Sequence, residues 1–350
     1  MRRVLVGALA AILAVVVLAD PAAADPPKPT NFRSTVLEVE PALPAGVEVR
    51  IVGGDAFLEL RVPRGTTAMV PDYGEEADAG ARPYLRFDAD GTVSRNDRSL
   101  AAAANESRYG SSTEPADEDA EPSWTVVATD GTYAWHDHRV HWMSPRTPKT
   151  DERGRVDLGG PDGTWEVGLV VDGMATTVRG ALELVDAPSP VPWWGLAILT
   201  TVAGLALAGV GLRRADGDER WDVGSPGPLV VATTLAMATA AWVSWTVWRS
   251  APPGAGATPI AATIAVVGVA AGALAAFGPR PSRLVAAALA AASALGWSLT
   301  RLGVLSHAVL PGTLPPWLDR SATVVALGLG AALAAALAWR PTRFRSSRPA

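Results

Sequence analysis

Three of the four histidines in this 350-residue chain fall within six residues, in the segment Trp135-His136-Asp137-His138-Arg139-Val140-His141-Trp142-Met143. Imidazole is the commonest metal-binding side chain, and the Met143 thioether is a soft donor suited to Cu(I). On a regular strand His136 and His138 share one face, about 7 Å apart at Cα. His141 and Met143 then point to the opposite face, unless a bulge or a strand end re-aims them. The segment therefore predicts a His136–His138 pair completed from elsewhere, with His141 and Met143 as candidate additions. Asp137, or a nearby carboxylate, is a candidate ligand or orienter of a ligand. Two other readings use the same residues: polar groups in a wet strand between Trp135 and Trp142, and a histidine-based pH sensor.

Other chemistry is poorly served. The chain has no cysteine, which excludes thiolate metal sites and Cys nucleophiles. No Ser or Thr nucleophile has a motif around it, and no strand–loop–helix phosphate cradle is present. No enzymatic activity is predicted.

The elements that must position the cluster read as β. Val47, Val49 and Ile51 alternate with Glu48 and Arg50, Gly53-Gly54-Asp55 makes a turn, and Leu58, Leu60 and Val62 alternate with Glu59 and Arg61. Tyr84–Phe87 and Thr92-Val93 flank Asp88-Ala89-Asp90-Gly91. Trp165–Val171 and Thr177–Val185 flank Asp172-Gly173, a strong hairpin signal. Strands near 124–129 and 133–142 bring the count to seven to nine, without a convincing amphipathic helix. The prediction is an antiparallel β-sandwich over 25–187. Residues 97–123 interrupt it with a small, acidic run that predicts a mobile excursion or a short helix with a loose loop.

Charge divides the chain. Residues 25–187 carry 29 Asp or Glu against 16 Lys or Arg, a net of −13; residues 188–350 carry 5 against 12, a net of +7. The acidic half excludes duplex nucleic acid as a partner, since phosphate binding needs a basic face. Residues 1–24 have the parts of a secretory signal: Arg2-Arg3, an apolar run from Val4 to Ala19, and Ala22-Ala23-Ala24 before a mature start at Asp25. After a Pro-rich linker (188–192), a transmembrane domain (193–340) is predicted. Its five apolar stretches run over 193–212, 229–248, 260–278, 284–304 and 321–339. The intervening and flanking segments that would face the cytoplasm hold nine Arg, and those outside hold three. That count predicts a multi-pass cell-membrane protein with its N-terminal domain outside and a basic cytoplasmic tail, 341–350. No Asp, Glu, Lys or His falls mid-span, and Arg301 and His307 are expected to snorkel to water. Gly268 and Gly272 form a GxxxG spacing for close helix packing. The lipid bilayer is one partner, and membrane proteins are possible others.

This arrangement resembles exported copper-handling proteins of the CopC type fused to CopD-like membrane bundles. EPALPAGVEVRIVGGDAFLELRV (40–62) is similar to that family's opening hairpin, and TWEVGLVVDGMATTVRGALELV (164–185) to its closing strands. The resemblance implies a β-sandwich handling copper ion. The family's own ligands do not carry over: its N-terminal histidine position is Asp25 here, and its histidine after the Asp-Gly turn is Met174. Its bundle also has more helices, with histidines in them. The chain as a whole looks like an actinobacterial membrane protein. The expectation is a membrane-anchored metal-binding protein using His136, His138, His141 and Met143. The alternative is an envelope scaffold or interaction protein with no metal.

Overall fold

The structure is a computed structural model that describes residues 27–105, 121–214, 227–253 and 259–339. The signal segment, most of the acidic run and the C-terminal tail lie outside the described residues.

Among the described residues eleven strands form two antiparallel sheets, more than the seven to nine expected. They are β1 (Phe32–Glu40), β2 (Glu48–Val52), β3 (Phe57–Arg61), β4 (Ala68–Pro71), β5 (Pro83–Phe87), β6 (Val93–Asn96), β7 (Trp124–Ala128), β8 (Thr132–Trp135), β9 (Arg155–Val156), β10 (Trp165–Val171) and β11 (Met174–Leu184). The larger sheet has the order β1-β11-β10-β4-β5-β6-β7, with β9 on β11; the smaller is β2-β3-β8. The three expected hairpins form, with Val52 opposite Phe57, Phe87 opposite Val93, and Val171 opposite Met174. A short helix α1 (Leu100–Ala104) opens the interrupting segment, capped by Ser99.

Alternation decides what the sheets bury. Leu58 and Leu60 of the smaller sheet meet Leu85, Phe87, Trp165, Val167, Leu169 and Val178 of the larger in one core, making the domain a sandwich. Gly180 is required there, since any Cβ would collide with the Trp165 ring. The Trp165 indole donates to Ser34 Oγ at 2.8 Å. The strand expected over 133–142 stops at Trp135.

Among the described residues, five helices long and apolar enough to cross a membrane follow: α2 (Val191–Arg214), α3 (Pro228–Ser250), α4 (Ile260–Phe277), α5 (Arg280–Thr300) and α6 (Pro316–Ala338). The last two begin four and five residues earlier than expected, because Pro281 and Pro316 fit the first helical turn, where their missing N–H is not needed. α6 packs on α2, α3 and α5. Small residues set the spacing: Gly268 faces Met237 and Ser293, and Gly272 touches Thr234.

The earlier start of α6 brings Asp319 into its first turn, where it is buried. Arg301 does not snorkel. Its Nη2 donates to both Asp319 carboxylate oxygens, at 2.6 and 2.7 Å, and its side chain is 11 % exposed. Arg320 donates to the Val304 and His307 carbonyls and holds the connection between α5 and α6. That connection docks on the β-domain. Thr30 and Val309 exchange two backbone hydrogen bonds of 2.9 Å, and Ala308 N donates to Asn31 Oδ1 at 2.8 Å.

Candidate metal centre

The histidine loop begins where β8 ends, and Asp137 explains why it ends there. Its carboxylate is fully buried and captures the Arg139 backbone N–H at 3.0 Å, an Asx turn that bends the chain. Arg139 adds Nε and Nη2 at 2.9 and 2.7 Å, and Trp135 Nε1 donates at 2.8 Å. Burial alone would push this carboxyl up. The Arg139 guanidinium and the donated hydrogen bonds outweigh it and hold Asp137 well below the usual carboxylate range. Asp137 thus holds the loop that carries the histidines, and the group of converging ligand atoms is His136, His138 and His141.

Two more residues hold the loop. Tyr73 OH accepts from His138 N at 3.0 Å and donates to Asn105 Oδ1 at 2.6 Å. Burial, then the Asp137 charge, pushes the Tyr73 hydroxyl up, so it stays a protonated donor. Val140, wholly buried, pins the far end of the turn in the sandwich core.

The bend does what a strand could not. His136, His138 and His141 each offer a ring nitrogen, and the three lie within 4.8 Å of one another. Their ring centroids are 4.4, 5.4 and 5.7 Å apart. Three imidazoles on one tetrahedral ion, with metal–nitrogen bonds of about 2.0–2.1 Å, would place their centroids about 5 Å apart. The observed centroid separations bracket that spacing. His141 therefore joins the other two instead of facing away. His136 Nδ1 lies 2.7 Å from the Ala56 carbonyl oxygen, which can only accept, so Nδ1 carries the proton and Nε2 the lone pair. His141 Nδ1 makes a longer contact, 3.4 Å, with the Trp142 carbonyl. His136 and His141 are buried, and His138 is half-buried. Met143 lines a cleft of about 830 Å³ together with His138 and His141.

Of the supporting residues only Asp137 was singled out from sequence. The Asp137-x-Arg139 spacing was their one local signal; Tyr73, Asn105 and the Ala56 carbonyl come from distant segments. Met174 sits exposed where β11 starts, at the hairpin turn. No protein-family model matches the chain, and no curated protein or solved structure matches it either.

Proposed function

We propose that this is a membrane-anchored extracytoplasmic metal-binding protein whose β-sandwich takes up a copper ion through His136, His138 and His141. The observation that carries this reading is the convergence of three imidazole nitrogens within 4.8 Å on a loop held by buried hydrogen bonds. Copper is favoured because imidazole sites bind Cu²⁺ most tightly among the divalent first-row metals. The Met143 thioether beside the cluster offers Cu(I) a soft donor. The N-terminal signal pattern and the distribution of arginines support a location outside the cytoplasm. Five apolar helices anchor the domain at the bilayer, where a bound ion is available to a membrane partner.

The test is competitive titration of the full chain in detergent with Cu(II), Cu(I) and Zn(II). One copper per chain is expected. Each of His136→Ala, His138→Ala and His141→Ala should weaken it by more than the roughly 10–100-fold that loss of an outer partner costs. Wild-type affinity in the triple variant would overturn the metal site, leaving a scaffold whose partner contacts survive a chelator. Tighter zinc than copper would overturn the choice of metal alone.

A further inference from the structure

The three histidines do not sit in a closed cage. His136 and His141 are buried and His138 is half-buried, and His138 and His141 are among the residues lining the 830 Å³ cleft. A single ion fills a small fraction of that space. The cleft falls in the size range of sites for small organic molecules, roughly 300–1,000 Å³. Its lining mixes the apolar Trp142, Met143 and Leu158 with the polar Tyr73, Ser144 and Thr164.

Charge narrows what belongs there. Asp137 is committed to Arg139, Glu75 of the cleft pairs with Arg82 at 3.2 Å, Glu166 pairs with Arg179 at 2.8 Å, and Asp157, the other acidic residue of the described lining, accepts the Gly159 backbone N–H at 2.9 Å. Three protein ligands with a vacant fourth position is the pattern of metal sites that bind an exogenous molecule.

Building on the metal site proposed above, we infer that the ion's fourth position faces the cleft and takes a small organic ligand: a nitrogen or oxygen donor carried on an apolar body. The donor completes the coordination, and the body lies against Trp142, Met143 and Leu158.

The experiment uses the full chain in detergent with one equivalent of Cu(II), followed by electron paramagnetic resonance and visible absorption. Imidazole and 4-phenylimidazole are the probes. Both should change the Cu(II) spectrum, and 4-phenylimidazole should bind at least tenfold more tightly. Ser144→Trp, which fills the cleft, should erase that preference while keeping copper affinity and imidazole binding. An unchanged spectrum on a copper-loaded chain overturns the inference. So does equal affinity for the two probes, or ligand binding seen only in Met143→Leu, which would place the thioether in the fourth position. A chain that binds no copper overturns the metal site, and this inference falls with it.

Discussion

Asp137 decides the shape of the histidine loop through its bonds to Arg139 and Trp135. Asp137→Ala leaves the Arg139 guanidinium and the Trp135 indole N–H facing a void, and breaking a buried ion pair typically costs about 3–5 kcal/mol. Thermal unfolding followed by tryptophan fluorescence should show that loss, and copper affinity should fall with it. The pH behaviour has a definite sign. The folded-state pKa of Asp137 lies below the unfolded value of about 3.9, so its stabilisation is full above that value and declines as pH falls through the folded one. Acidification should therefore release copper, which needs deprotonated imidazoles, before the Trp135 environment changes. A Trp135 signal that moves first would contradict this order. The residue types of the site were legible in the sequence, but their convergence was not. A strand repeat of two residues separates His141 from His138, and only the Asx turn at Asp137 reverses that.

Among the elements, hairpins with Asp-Gly or Gly-Gly-Asp turns were the most legible, since the turn chemistry and the alternation agree. β1 and β4 were hidden for different reasons. A register shift between Val36 and Glu38 breaks the alternation of β1, and β4 is four residues long. The α5–α6 connection carried no periodic signal, and its role comes from tertiary pairing. Asp319→Ala should destabilise the bundle by about 3–5 kcal/mol, since it strands the Arg301 charge in a largely buried place. The double variant Arg301→Met/Asp319→Leu should recover most of that loss in a detergent melting curve. Equal melting of single and double variants would mean the pair does not act as a unit. At the other contact, Gly54 has φ of +83°, and a Cβ there would meet Val309 at 2.8 Å. Gly54→Ala should raise hydrogen exchange at residues 302–310 while leaving copper affinity unchanged.

For the whole molecule, the charge split and the five apolar stretches made the two-part plan legible. Connectivity fixes a relative geometry as well. The start of α2, the ends of α3 and α5 and the start of α6 lie at the bundle end facing the β-domain. Gly312 of the docked connection approaches Val247 near the α3 terminus, and α2 follows β11 after a short link. The cysteine-free chain allows a clean test of sidedness. Met174→Cys should react with a membrane-impermeant maleimide in intact cells, and Ser225→Cys only after permeabilisation. The reverse result would turn the protein over in the membrane.

Among the described residues, the β-domain is joined to the bundle side by the covalent link from Leu184 to Val191 and by the pairing of Thr30 with Val309. A body tethered at one point can swing in any direction, whereas a body pinned at two can only rock about the line between the pins. Any swing of the β-domain away from that line must first break the paired Thr30–Val309 backbone hydrogen bonds.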